Sequence, residues 1–309
     1  MASQDQEPKR NPTMRLRHIE VFHAVYTTGT VSNAAKRLNV SQPSISKVLH
    51  HAEDQLGYPL FERVKGKLIP TNEAHALFGE VHKVYRQMRT LQAKSRNLRG
   101  GKSGHVRIAV MPALGLNILP LTIANFRRQY PEVTFDVQTR HYDDLVKSLN
   151  EHEDDIGLAF NPPQTEGIQE YDFGSGEFVC ICNEGDFGKE GRKIRLEELE
   201  GKDVIGIKDS GPLAEILYSS LVDRGIDLES VVTVQTYYIA KNIVGYGGGV
   251  AIVDQVTALS EGPGNIEIRE LDPPIRYSVK GLYLENSPLS AACRNFLEFF
   301  KLTYENYIS

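Results

Sequence analysis

Between positions 41 and 50 the chain runs Ser41-Gln42-Pro43-Ser44-Ile45-Ser46-Lys47-Val48-Leu49-His50, setting hydrogen-bonding side chains beside apolar ones at helical spacing. The Gln42 amide can pair with adenine through a donor and an acceptor at once, and Lys47 can reach guanine acceptors or a phosphate. Ser41 and Ser44 are short donors suited to phosphate oxygens. Gln42, Ser46, Lys47 and His50 fall on one stripe of the helix, and Ile45, Val48, Leu49, Ala52 and Leu56 on the other. Such a helix buries one face and leaves a polar face that fits a major groove. The competing reading, a face that is only solvated, has to be judged against what surrounds it.

What surrounds it is a set of elements that would hold the stripe in place. Residues 15–27 carry Leu16, Ile19, Phe22 and Tyr26 at helical spacing and stop at Thr28-Gly29. Thr30 then caps a short second helix with Ala34, Ala35 and Leu38 facing inward, Asn39-Val40 makes the turn, and Ser41 caps the third. After Gly57-Tyr58, residues 59–70 form two short strands turning at Lys65-Gly66-Lys67, a wing whose Arg63 suits a narrow minor groove. Thr30, Ser32, Lys65 and Lys67 complete the candidate DNA-contact set. From Thr71 a long helix places Leu77, Val81, Val84, Met88, Leu91, Ser95 and Leu98 at alternating spacings of four and three, the mark of a coiled-coil seam that would present the stripe twice. Glycines in 100–104 make a flexible hinge.

Charge supports this division. Residues 1–104 hold 17 Lys/Arg against 8 Asp/Glu, and 105–309 hold 18 against 32, a basic front and an acidic back. Phosphate neutralisation needs local positive charge, not a basic total. The 309 residues suffice for about two domains, behind a start (1–14) expected to be disordered. With no long apolar run, the chain reads as soluble and cytoplasmic, with no membrane partner. Cys180, Cys182 and Cys293 are too few for a disulfide framework and read as small buried residues. From residue 105 onward short apolar strands alternate with amphipathic helices as βαβαβ, which predicts a mostly parallel sheet and a second lobe of the same kind. An enzyme tethered to DNA by its first domain is the competing class. Yet beyond residue 104 there is no Ser-His-Asp order, no phosphate cradle and no metal-ligand spacing, so no cofactor, metal or catalytic residue is predicted. Gly245-Tyr246-Gly247-Gly248-Gly249 end a helix and precede a strand, the wrong order for a dinucleotide loop. A third reading is an architectural DNA binder that answers to no effector.

Residues 16–71 resemble the N-terminal domain of LysR-type transcriptional regulators, and the likeness extends along the whole chain. It rests on Ala34-Ala35, Ser41-Gln42-Pro43-Ser44-Ile45-Ser46, Leu56-Gly57, Leu60-Phe61-Glu62-Arg63 and Pro70-Thr71. Lys47 and Lys65 stand where the family commonly has arginine, and lysine cannot fork onto guanine. The resemblance implies α/β architecture behind an all-α winged helix-turn-helix (15–70) and a dimerising linker helix (71–99). It further implies an effector domain like a two-lobed periplasmic binding protein (105–309), with one lobe about 105–168 and 276–309 and the other about 169–275. It also implies homodimers assembling into homotetramers, double-stranded DNA and RNA polymerase as partners, and a small-molecule effector between the lobes. Laid onto this sequence, the family's cleft segments are Met111-Pro112-Ala113-Leu114, His141, Phe160-Asn161, Ser210-Gly211-Pro212, Gln235-Thr236-Tyr237-Tyr238 and Val253-Asp254. Their apolar and aromatic character leads to an aryl or indolyl carboxylate as the expected effector, with an amino-acid-like or other polar carboxylate as the alternative.

Overall fold

The computed structural model describes residues 14–97, 104–188, 193–208 and 210–308. The disordered start expected at 1–14 and the hinge at 100–104 therefore fall almost wholly outside the described residues, as does Leu98. The chain divides into two compact units, 1–92 and 93–309.

In the first unit, α1 (Leu16–Thr28), α2 (Val31–Leu38) and α3 (Gln42–Leu56) pack around Phe22, Val25, Ala34, Ala35, Ile45, Leu49 and Ala52. The alanine pair lets the three helices cross closely, because a larger Cβ substituent would hold them apart. Thr30 caps α2 by accepting from Asn33 N–H at 3.1 Å. Ser41 occupies the equivalent position before α3 without a side-chain cap bond, and Pro43 sets the first turn there instead. The wing, β1 (Phe61–Val64) and β2 (Lys67–Pro70), turns at Lys65 and Gly66, with φ of 52° and 80°. Two left-handed residues in succession give the turn whose twist matches a hairpin. Glu53 of α3 accepts from the backbone N–H groups of Leu60 and Phe61 at 2.8 and 3.2 Å, which ties the wing to the third helix.

The long helix α4 (Asn72–Asn97) returns against α1. Tyr26 stacks on Phe78 at 3.8 Å and His23 on Tyr85 at 3.9 Å, and His23 Nε2 shares a 2.9 Å hydrogen bond with His82 Nδ1. This corrects the seam predicted from spacing. Val81 is 4% exposed in the same unit's core, so it is consumed inside one chain, and Leu77 packs half-buried against that core. Heptad spacing cannot distinguish a face buried against the chain's own helices from one buried against a partner. Val84 and Met88 are half-buried and Leu91 is 70% exposed, all three outside that core.

In the second unit a seven-stranded sheet has the order β10-β6-β11-β5-β3-β4, with β9 also on β6. Its strands are β3 (Gly104–Val110), β4 (Val133–Thr139), β5 (Ile156–Phe160), β6 (Ile168–Asn183), β9 (Ala251–Asp254), β10 (Ile266–Glu270) and β11 (Arg276–Leu284). Between these lie β7 (Val204–Ile207) and β8 (Ser230–Val234), a separate parallel pair. The sheet is mixed, not mostly parallel as expected. Only β3 with β4 and β3 with β5 run parallel, while β11 with β5 and every pairing of β6 are antiparallel. The reason is β6, 16 residues long, which pairs with β11 over its first part and with β9 and β10 over its last. Its first half escapes a reading based on apolar runs because Gln169, Glu170, Asp172, Gly174 and Gly176 interrupt it.

The helices flanking these strands are α5 (Pro112–Leu116), α6 (Ile118–Gln129), α7 (Tyr142–Asn150), α8 (Pro212–Val222), α9 (Tyr237–Gly245), α10 (Gln255–Leu259) and α11 (Ala291–Ile308). Phe296, Phe300 and Tyr304 of α11 are fully buried in one core with Phe126 and Phe173. Between α9 and β9, Gly249 has φ 123°, and a Cβ there would stand 2.0 Å from the Asp203 carbonyl oxygen. Those glycines make a tight return, not a phosphate loop.

Candidate functional site

In the first unit the polar stripe forms as a continuous exposed surface. Gln42, Pro43, Ser46, Lys47 and His50 are exposed on α3, Ser41 precedes it, and Ser44 is half-buried. Thr30 and Ser32 are exposed at the N-terminal end of α2, and Arg63, Lys65 and Lys67 are exposed on the wing. Ser32 Oγ donates to Gln42 Oε1 at 3.2 Å, a contact between two helices that the sequence did not announce. His50 lies 4.0 and 3.9 Å from the carboxylates of Glu53 and Asp54, which makes it the least suited of the set to meet a phosphate.

In the second unit, Met111, Pro112, Ala113 and Leu116 at α5 and Phe160 at the end of β5 face Ser210, Leu213, Thr236, Tyr237 and Tyr238 across a narrow cleft. The free volume is about 10 Å³, room for little more than one water. Eight of the expected residues thus meet: Met111, Pro112, Ala113, Phe160, Ser210, Thr236, Tyr237 and Tyr238. Leu114 and Val253 do not, both turning into the core, and neither do Pro212 and Asp254. His141 precedes α7 and is exposed, and His141, Asn161, Gly211 and Gln235 lie outside the lining. Leu116 and Leu213 were missed. Each stands four residues or fewer past a turn, where helix phase decides which side faces the opening.

The cleft lining holds no Lys or Arg side chain. Arg140, beside His141, is engaged by Glu153 at 3.0 Å and Asp154 at 3.2 Å. Polar character comes instead from neutral donors. Ser210 precedes α8, Thr236 caps α9 by accepting from Ile239 N–H at 3.4 Å, and Tyr237 begins α9. The Tyr237 hydroxyl is buried, and among the described residues no protein group completes a hydrogen bond of good geometry with it. Burial raises its pKa, the Asp254 charge adds to this, and the neighbouring Ser210 hydroxyl partly opposes it. Asp254 itself ends β9, fully buried, and caps α10 by accepting from Thr257 N–H at 2.9 Å and Thr257 Oγ1 at 2.6 Å. Burial raises its carboxyl to about 6, with the Thr257 bonds pulling the other way. No group of His, Cys, Asp and Glu among the described residues could hold a metal ion. All three cysteines are buried, with their pKa values raised by burial. No described helix is long and apolar enough to cross a membrane.

Residues 16–75 match the model of bacterial regulatory helix-turn-helix proteins of the lysR family, and 99–303 match the LysR substrate binding domain. Among curated relatives, the HTH-type transcriptional regulator DgcR of Pseudoalteromonas is 45% identical over 284 residues, covering 92% of this chain and 98% of that protein. AdmX of Serratia plymuthica, also an HTH-type transcriptional regulator, is 29% identical over 286 residues, covering 93% and 91%. Full-length CbnR complexed with its target DNA superposes with a TM-score of 0.71 at 21% identity, over 94% of this chain and all of that one. The chain therefore belongs to the LysR family: it is a DNA-binding transcriptional regulator with an effector-binding domain, not an enzyme.

Proposed function

We propose that the cleft takes a small organic acid whose entry moves its two walls apart and thereby alters how the regulator occupies or bends its operator. The Tyr237 hydroxyl carries this reading. Tyr237 is 3% exposed, its hydroxyl has no partner of good geometry beyond the neighbouring Ser210 hydroxyl, and it lies with Ser210 and Thr236 where α8 and α9 begin. A buried hydroxyl without a partner is costly, and an anion beside two helix N-termini relieves that cost. With neutral donors and no arginine, the site suits one carboxylate better than a phosphate.

A compact, amino-acid-like or otherwise polar carboxylate fits this geometry best. The aryl or indolyl acid has a narrower basis. Phe160 is 1% exposed and packs edge-on against Tyr277 at 5.2 Å, and its backbone N–H donates to Met111 Sδ at 3.4 Å. Those apolar groups are spent on the core, and a flat ligand is left with Leu116 and Tyr238, both exposed at the rim. In the same reading Gln42, Ser46 and Lys47 meet base edges, and Thr30, Ser41, Ser44, Arg63, Lys65 and Lys67 position the protein on phosphates. Residues 71–99 pair two chains, pairs of dimers form a tetramer, and the bound complex acts on RNA polymerase.

Calorimetry of the full chain against a panel of aliphatic, amino-acid and aromatic carboxylates tests the reading. A polar acid should bind, and Tyr237→Phe should weaken it about 10- to 100-fold, the worth of one hydrogen bond to a charged group. Binding of aromatic acids alone would transfer the assignment to the second reading. Equal affinity of wild type and Tyr237→Phe for every acid would remove the basis of both.

A further inference from the structure

Ser32 and Gln42 belong to different helices, yet the 3.2 Å bond from Ser32 Oγ to Gln42 Oε1 joins them at the exposed corner where α2 and α3 both begin. Both backbones are held there. The Thr30 hydroxyl caps the first turn of α2, Pro43 restrains the first turn of α3, and Ala34 and Ile45 behind them are completely buried. The mobile part is the Gln42 side chain, whose torsions must be ordered before its amide can meet a base in one orientation. A bond at the carbonyl end does that ordering in the free protein.

We infer that Ser32 is a positioning residue for DNA readout: its hydroxyl, bonded to the Gln42 carbonyl oxygen, fixes the direction in which Gln42 presents its amide. The inference rests on the reading that Gln42 meets a base. An amide oxygen has two acceptor sites and the amide nitrogen two donors. Ser32 uses one acceptor site, so the second remains for an adenine N6–H while an amide N–H reaches N7. Ser32 thus contributes to sequence preference through another side chain, a role distinct from a phosphate contact, which would act on every sequence alike.

The test uses the full-length chain and two duplexes, one selected by the wild type from a randomised pool and one of random sequence. Ser32→Ala should weaken binding to the selected duplex about 3- to 10-fold, the range of one neutral hydrogen bond, and leave the random duplex nearly unaffected. Ser32→Thr, which keeps the hydroxyl, should retain the preference. The double variant Ser32→Ala/Gln42→Ala should be no weaker than Gln42→Ala alone. Equal losses on both duplexes, or losses that multiply in the double variant while Gln42→Ala alone lowers the selected-to-random ratio, overturn the positioning role and leave Gln42 as a base reader. An unchanged ratio in Gln42→Ala overturns the base-reading role and the inference with it.

Discussion

Asp254 is a carboxylate held where a neutral group would be more comfortable. Its folded-state pKa of about 6 lies above the ordinary 3.8, so the folded state favours the protonated form more than the unfolded chain does. The resulting stability is fully present below about pH 4 and is lost as pH rises through about 6. The whole difference is on the order of 3 kcal/mol for a group with no solvent to screen it. Asparagine can keep the cap on α10, since its side-chain oxygen accepts from Thr257 N–H while its amide N–H donates to the Thr257 hydroxyl. Asp254→Asn should therefore flatten the fall in melting temperature between pH 4.5 and 7, measured on both proteins by thermal denaturation. Parallel profiles would show that the carboxyl titrates elsewhere. The same burial explains why Tyr237, Tyr277 and Tyr304 are pushed further up by the Asp254 charge once it forms.

At the scale of an element, α4 does two jobs in succession. Its first turns complete the DNA-binding core through Ala74, Leu77, Phe78 and Val81, and further along it carries Val84, Met88 and Leu91, which that core does not cover. Substitutions on the two parts should fail differently. Val81→Asp buries a charge in its own unit and should cost about 4 kcal/mol or more, unfolding the DNA-binding unit. Met88→Asp should leave the unit folded, with unchanged circular dichroism, and dissociate the dimer in sedimentation. If Met88→Asp sediments as the wild type does, the paired-helix assignment is wrong. Much of this was legible beforehand: the three helices, the wing and the long helix all follow from local periodicity and caps. The split within α4 was not, because Phe78, His82 and Tyr85 find their partners on α1, more than fifty residues earlier.

For the whole molecule, charge is distributed so that the two units meet different ligands. Lys47, Arg63, Lys65 and Lys67 lie on the exposed reading surface of a chain whose net charge is -5. With Lys47 on a base edge, two chains each placing Arg63, Lys65 and Lys67 on phosphates should give a slope of about -5 in log affinity against log salt concentration. A titration from low to moderate salt measures it, and a flat dependence would mean that these side chains do not sit on phosphates. In the proposed reading the effector meets neutral donors in a cleft nearly shut, so occupancy and opening would be one event there. A ligand can shift that equilibrium only as far as it prefers the opened form.

The order of residues alone determined the recognition stripe, the cap at Thr30, the wing and the family, since each lies within one continuous stretch whose meaning depends on neighbours a few positions away. Tertiary structure decided the rest. Residues as distant as Met111 and Tyr238 become the two sides of one cleft, Leu116 and Leu213 face it while Leu114 and Val253 turn into the core, and β6 runs antiparallel to the partners it serves. Which side chain faces an opening is set by where remote strands end and how helices pack on them, and a period of two or 3.6 residues carries no record of that.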